Sequence, residues 1–150
     1  ASQSGNGQAL LIGQAEIDSL IRSKAAMYTI LETLTASVGL TFEQVDRFCV
    51  AGTFGQYIDP ESAISIGMLP DLPLEIFHTL GNSSLGGATR LLTEPESLDI
   101  VSRTRDRMTY LELNVNQEFM NEFSAARFLP HTDRDRFPSV VRKLETENRT

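Results

Sequence analysis

The stretch "VDRFCVAGTFGQYIDP", residues 45–60, decides how this sequence folds. A run of apolar and β-favouring residues meets two glycines, Gly52 and Gly55, and the chain resumes with the turn signal Asp59-Pro60. Valine and phenylalanine favour strands, whereas glycine and an Asp-Pro pair interrupt them. The pattern therefore predicts a strand over residues 47–51 followed by a glycine loop. Two explanations of the loop stay open here: ordinary turn chemistry, or a backbone left bare because a ligand lies against it.

Patterns typical of helices and strands alternate on both sides of this loop. Apolar residues recur at three- and four-residue steps over residues 15–38 and Gly39 follows, which predicts an amphipathic helix with a glycine stop. The other predicted elements are a short strand at 9–12, a helix from Pro60 to about Ile66, a strand at 74–80, helices ending near Leu92 and Arg105, a strand at 108–115 and a helix from Asn116 to about Arg127. Strands that alternate with helices predict an α/β fold.

The composition along the chain suggests three parts. Residues 1–8 are small and polar and are expected to be a flexible start, and residues 9–130 are expected to form the folded body. Residues 131–150 are rich in both charge signs and are interpreted as a charged tail. Val140, Val141 and Leu144 could dock a short helix there, but a mobile tail is favoured at least as strongly.

The overall composition is that of one globular domain and excludes several function classes. The chain has 150 residues, of which 41% are hydrophobic, and a net charge of −7. An acidic balance argues against nucleic-acid or membrane partners, since both require a basic surface. No apolar run approaches the ~20 residues of a membrane span and nothing resembles a signal peptide, so we expect a cytoplasmic protein.

The cysteine and histidine contents are low. Cys49 is the single cysteine, so neither an intrachain disulfide nor a cysteine-ligated cluster can form, and we expect an inert core residue. His78 and His131 lack ligand-like spacing, and no metal site is predicted. The sequence also presents no acid–base pair or nucleophile triad, so no catalytic residue is assigned.

Three features could contact a ligand. Lys24 lies in the middle of the apolar stripe of the first predicted helix, where it could extend its ammonium to the edge or reach a ligand in a cleft. The glycine loop lies at the carboxyl end of a strand, where ligands gather in α/β sheets. The third feature is "GNSSLGGATRLL", residues 81–92, in which Asn82 or Ser83 can cap a helix. Both residues are minor candidates for ligand contact, because the first amides of a helix favour an anion. The Gly-Gly pair at 86–87 is interpreted as a site of close packing.

Four segments together resemble the C-terminal part of the reductive activators of corrinoid proteins. They are "SKAAMYTILETL", "VAGTFGQYIDPESAISIGMLPDLP", "GNSSLGGATRLL" and "MTYLELNVNQEFMNEF" with the following "FLP". The last domain of these iron–sulfur proteins belongs to the actin-like ATPase superfamily of sugar kinases, actin and heat-shock chaperones. The resemblance implies half of an actin-like, ribonuclease-H-like ATPase domain, with a mixed sheet flanked by helices.

The resemblance also implies a function and a site. In this family an N-terminal ferredoxin-type domain supplies an electron, and ATP with magnesium helps return a cobalt(II) corrinoid on a methyl-transfer protein to cobalt(I). The strand-then-glycine segment of the superfamily contacts adenosine, a role that would pass to Gly52, Thr53, Phe54 and Gly55, with Lys24 facing the same cleft. A corrinoid methyl-transfer protein and a second copy of the protein are the partners expected.

The superfamily's phosphate loop, its second acidic loop and the ferredoxin cysteines do not occur in these residues. We therefore expect a C-terminal piece of a larger protein that binds ATP poorly and hydrolyses nothing by itself. Two alternatives stay open. One is a non-catalytic module for dimerisation or corrinoid-protein docking, and the other is a fragment of a sugar kinase, for which no sugar-binding pattern is visible.

Overall fold

The structure is a computed structural model that describes residues 11–52 and 55–147. Within these ranges the chain forms six α-helices and two β-strands, so the predicted α/β class is confirmed. The elements in chain order are α1 (Gln14–Ser37), β1 (Phe48–Ala51), α2 (Pro60–Ser65), β2 (Phe77–Gly81), α3 (Ser83–Thr93), α4 (Ser97–Arg105), α5 (Gln117–Ala126) and α6 (Pro138–Glu147).

Local capping residues set several of these helix boundaries. The Asp59 carboxylate accepts the Ser62 N–H at 2.9 Å and begins α2, in front of a proline that suits the first helical position. Asn82 and Asn116 begin α3 and α5 in the same way. Gly39 follows α1 with φ of +74°, a conformation that favours glycine and ends the helix. These starts and this stop confirm the sequence predictions.

The two strands are parallel neighbours. Phe48 on β1 lies opposite Phe77 on β2, and Ala51 lies opposite Gly81. The register shifts between Val50 and Ala51, where β2 contains one extra residue, Leu80. Parallel pairing brings the carboxyl ends of both strands to the same edge of the sheet, which is where the candidate site lies.

The core lies among α1, α2, α5 and α6. Its buried apolar residues are Ala25, Tyr28, Ala63, Ile64, Leu69, Ala126, Phe137 and Val140. The ring of Tyr28 is central, with ring centroids 5.5 Å from Phe137 and 5.6 Å from Phe42. This packing holds α1 in place as the common wall between the core and the strand ends.

The residues after 130 belong to this core. Phe137 has no exposed surface, and His131 and Val140 are 4% and 7% exposed. The Arg136 guanidinium forms ion pairs with Glu32 on α1 and Glu122 on α5. The docked helix that the sequence left open is therefore present as α6.

Three expectations from the sequence are wrong. Residues 108–112 have no regular secondary structure and only a short helical turn follows, because the described part of the chain places no strand beside them with which the alternating pattern could pair. Leu11 and Ile12 are likewise outside any strand, and Ala9 and Leu10 lie outside the described residues. Cys49 is exposed rather than buried, because the side chains on its face of β1 are uncovered.

The close packing predicted for the Gly-Gly pair is also absent within the described part of the chain. A Cβ atom built on Gly86 or Gly87 would have no heavy atom within 4 Å. None of the residues of α3 is buried. The small residues of α3 thus face open space in this structure.

Candidate functional site

Both strands end on glycines that adopt positive φ angles. Gly52 follows β1 with φ of +95°, and Gly81 ends β2 with φ of +59°. The Gly52 N–H donates to the Gly81 carbonyl oxygen at 2.7 Å, which joins the two strand ends. Glycine is favoured at both positions because residues with a Cβ atom rarely adopt these angles. Turn geometry therefore accounts for part of the glycine pattern.

The surroundings of the two loop glycines differ. Among the described residues other than its chain neighbours, none has an atom within 4 Å of a Cβ atom built on Gly52. Gly55 is buried, and a Cβ atom there would lie 2.7 Å from Cγ1 of Val50, so glycine is needed for packing. The predicted contacts Thr53 and Phe54 lie outside the described residues. Gly52 thus leaves room for a side chain and Gly55 does not, and the ligand contact at this loop stays a prediction.

An open hollow of about 540 Å³ lies beside this bend, between α1 and the end of β1. Its volume falls within the usual range of small-molecule sites. Its lining is mostly apolar with three polar side chains from α1, and consists of Glu16, Ser19, Leu20, Ser23, Met27, Val50, Ala51, Gly55, Ile58 and Met68. This hollow is called the strand-end hollow below, and Gly52, Gly81 and the start of α3 lie at the same edge of the sheet.

The N-terminus of α3 lies at the same edge of the sheet. Asn82 follows Gly81 directly, and its side-chain oxygen accepts the Leu85 N–H at 3.0 Å. Ser83 is the first residue of the helix. The first amides of a helix and its dipole favour an anionic group. The structure therefore brings Gly52, Gly55, Asn82 and Ser83 together.

Lys24 is not part of this arrangement. Its side chain has no exposed surface, and its ammonium donates to the carbonyl oxygens of Phe128 and, at 2.7 Å, of Pro130. Burial lowers the pKa of Lys24 to about 8. The α1 residues that line the hollow include Ser23 and Met27 on an adjoining face. The apolar stripe located Lys24 correctly on α1, but periodicity cannot reveal partners more than 100 residues away.

Sequence reasoning missed most of the hollow. A glycine lies at the carboxyl end of each strand, Gly52 directly after β1 and Gly81 as the last residue of β2, and that parallel could have pointed to the hollow. Met27 and Met68 carry no such signal, because a methionine on an apolar helix face or after a turn is typical of any core.

A charged cluster lies on the other side of α1. It consists of Arg136 with Glu32, Glu122 and Asp133. Burial raises the pKa of Glu32, and it also raises the pKa of the neighbouring Tyr28 to about 12. The cluster links α1, α5 and the segment before α6, so its role is structural. Within the described ranges, no three His, Cys, Asp or Glu side chains are grouped as metal ligands.

The helices described here show no membrane-spanning candidate, since none combines the length and apolar character needed to cross a bilayer.

Comparison with known families decides where the chain belongs. The family model described as the C-terminal domain of RACo, the ASKHA domain, matches residues 1–141. The chain belongs to this family. The prediction of part of an actin-like ATPase domain is thereby confirmed.

Solved and curated relatives of this ASKHA domain agree with the assignment. A solved "Reductive activator for corrinoid,iron-sulfur protein" superimposes with a TM-score of 0.83 and 45% identity, covering 93% of this chain and 22% of that one. The "Corrinoid activation enzyme RamQ" of Eubacterium limosum is 28% identical over 123 residues, which is 82% of this chain and 21% of the relative.

A third relative is named for the protein on which it acts. The "[Co(II) methylated amine-specific corrinoid protein] reductase" of Methanosarcina barkeri is 26% identical over 117 residues, or 77% of this chain and 22% of the relative. The chain spans about a fifth of the length of the relatives it matches.

Proposed function

We propose that this chain is the adenosine-binding C-terminal portion of an ATP-dependent reductive activator. The activator would return cobalt(II) corrinoid proteins to cobalt(I), with the electron coming from an iron–sulfur domain outside these residues. The names of the relatives support a role in corrinoid activation, since all three act on corrinoid proteins or activate them. A corrinoid methyl-transfer protein is the proposed partner, and a homodimer is the proposed assembly.

The observation on which the nucleotide assignment depends is the open hollow beside Gly52. A purine ring is flat and apolar on its faces, which suits walls formed by Leu20, Met27 and Met68. Hydroxyl groups of Ser19 and Ser23 offer hydrogen bonds to the polar edge of the base or to a ribose. Because Gly52 has no side chain, a ligand can approach the strand ends closely there, while the N–H and the carbonyl group of Gly52 bond Gly81 and Gln56.

The remaining parts of an ATPase site would come from outside this chain. The N-terminus of α3, at Asn82 and Ser83, could favour a phosphate by its dipole. Magnesium ligands and the catalytic groups for ATP hydrolysis are proposed to lie in the rest of the longer protein. On this proposal, residues 1–150 alone bind ATP weakly and do not hydrolyse it.

Calorimetric titration of the full-length protein with ATP tests the adenosine assignment. Gly52→Val adds a branched side chain next to Ala51, which lines the hollow, and we expect ATP affinity to fall at least about tenfold, equivalent to roughly 1.4 kcal/mol. The matched control is Gly39→Val. Gly39 also has a positive φ and open space around its missing Cβ atom, but it follows the far end of α1.

The control separates backbone strain from a lost contact. Both variants strain a glycine turn, so both should lower stability, but only Gly52→Val should weaken ATP binding. If Gly52→Val binds ATP as tightly as the wild type, the adenosine assignment is refuted.

The second candidate is a non-catalytic module that dimerises or docks the corrinoid protein. It is favoured by the exposed apolar residues of α3 and α4, of which Leu85, Leu92 and Leu98 are 64%, 84% and 56% exposed. Under this alternative the glycine loop is only a turn. Wild type, Gly39→Val and Gly52→Val would then all respond to ATP alike.

A further inference from the structure

We propose that Lys24 is a positioning residue of the strand-end hollow, whose walls it holds in place by fixing α1 and the chain after α2 around the Pro130 carbonyl group. The inference rests on the proposed function, because the hollow is taken to bind the nucleotide. It differs from the ligand contact expected from the sequence. Lys24 acts here through the protein, on two walls of the hollow, and not on the nucleotide itself.

Three segments meet at the Pro130 carbonyl. From one side, the buried Lys24 ammonium of α1 donates to its oxygen at 2.7 Å and also to the Phe128 carbonyl. On another side lies Gly67, just beyond α2, where a built Cβ atom would come within 2.0 Å of the same oxygen. The backbone of Gly67 therefore lies directly against this carbonyl. Pro130 itself is buried.

The two residues that contact the Pro130 oxygen, Lys24 and Gly67, are close in sequence to residues that line the hollow. On α1, Ser23 precedes Lys24 and Met27 lies one turn later, and both line the hollow. After α2, Met68 follows Gly67 and lines the same hollow. The Met68 N–H donates to the Ala63 carbonyl at 2.8 Å, so the chain after Gly67 is held in place. The distance between the two walls thus depends on what lies between α1 and Gly67.

The chemistry at this junction makes Lys24 difficult to replace. A buried carbonyl group without a donor is costly, and a buried ammonium is tolerated only where acceptors surround it. Hydrogen bonds from a charged donor are about twice as strong as neutral ones. Removing the ammonium leaves the enclosed Pro130 oxygen without this partner. The contact that ties α1 to the chain beside Gly67 is then lost, so the two walls that carry Met27 and Met68 are free to shift.

The junction also links the hollow to the end of the chain. His131 follows Pro130 directly and is buried beside Tyr28 and Phe137, with ring centroids 5.4 and 6.2 Å away. The Pro130 carbonyl group and Lys24 therefore form one of the links between the segment before α6 and the α1 wall of the hollow.

The test combines ATP calorimetry with NMR of 13C-methyl methionine in the full-length protein. Lys24→Leu should lower ATP affinity by about tenfold and shift the methyl resonances of Met27 and Met68 before ATP is added. Lys24→Arg restores a cationic donor and should recover most of the affinity and of the wild-type shifts.

Val140→Ala is the matched control for a loss of stability. Val140 is 7% exposed in the same core but does not donate to the Pro130 carbonyl, so its truncation should leave ATP affinity within about twofold. Unchanged ATP affinity in Lys24→Leu, with Gly52→Val still impaired, overturns this inference and leaves the proposed function intact. An equal loss of ATP affinity in Val140→Ala also overturns the inference about Lys24. Tight ATP binding by Gly52→Val overturns the proposed function instead.

Discussion

Two groups of helices in this domain differ sharply in their surroundings. Helices α1, α2, α5 and α6 contribute to one buried core, whereas α3 has no buried residue and α4 has only Ser97. Both groups contain apolar residues at helical spacing and both begin or end at recognisable local signals. The local sequence therefore determines where a helix forms and which of its faces is apolar. Whether that face is buried depends on another helix or strand that packs against it.

The difference should appear in the energetics. Burying an aliphatic or aromatic side chain stabilises a fold by roughly 1.5–3 kcal/mol relative to exposure. The α1–α2–α5–α6 group obtains this contribution within the described chain, and α3 and α4 obtain little of it. The three predictions that follow test this contrast from the largest expected effect to the smallest.

Phe137→Ala should have the largest effect. Phe137 has no exposed surface and its ring packs on Tyr28, so truncation should lower the free energy of unfolding by about 3–5 kcal/mol. Leu92→Ala, at a site that is 84% exposed, should change it by less than about 0.5 kcal/mol. Urea denaturation of both variants measures the contrast. Similar changes in the free energy of unfolding for the two variants would contradict the distinction between the buried and the exposed helices.

The stability of the packed group should also depend on pH through Lys24. Burial lowers the pKa of Lys24 to about 8 in the folded state, below the 10.5 of an unperturbed lysine. Between these values the unfolded chain binds more protons, so the free energy of unfolding rises with pH, by an amount on the order of 1–3 kcal/mol. Below pH 8 and above pH 10.5 this contribution is constant.

The measurement compares wild type with Lys24→Leu from pH 7 to 10. The upper limit avoids Tyr28, whose raised pKa lets the folded state keep a proton longer and acts in the opposite direction. The stability difference between the two proteins should change across this window. A difference that stays constant would show that the Lys24 pKa is unperturbed.

Gly86→Ala should have the smallest effect and concerns the exposed group. Glycine inside a helix costs about 1 kcal/mol relative to alanine, and a Cβ atom at Gly86 meets no neighbour within 4 Å. The substitution should therefore slow hydrogen exchange of the α3 amides by up to about fivefold. Faster exchange in the full-length protein would mean instead that a close neighbour occupies the face of α3 that carries Gly86.

The sequence predicted those parts of the fold that depend on local chemistry. The α1 pattern, the glycine stop at Gly39, and the caps at Asp59, Asn82 and Asn116 all involve residues within four positions of one another. The strand at Phe48–Ala51 and its glycine end were predicted for the same reason. The glycine edge of the candidate site was therefore accessible without a structure.

The rest depends on contacts between distant residues. The alternating residues 108–115 form no strand because pairing requires a neighbour that their own pattern cannot supply. Lys24 finds its acceptors at Phe128 and Pro130, and no periodicity indicates such a partner. The hollow is formed by residues from α1, β1 and the chain after α2, so its lining follows from packing and not from any one segment.

The exposure of Cys49 has a practical consequence. It is the single thiol of the chain and lies on β1, three residues before Gly52. In residues 1–150 on their own, a thiol-reactive fluorophore would therefore attach at one defined position close to the hollow. Its fluorescence would then report whether this domain alone takes up a ligand at the strand ends.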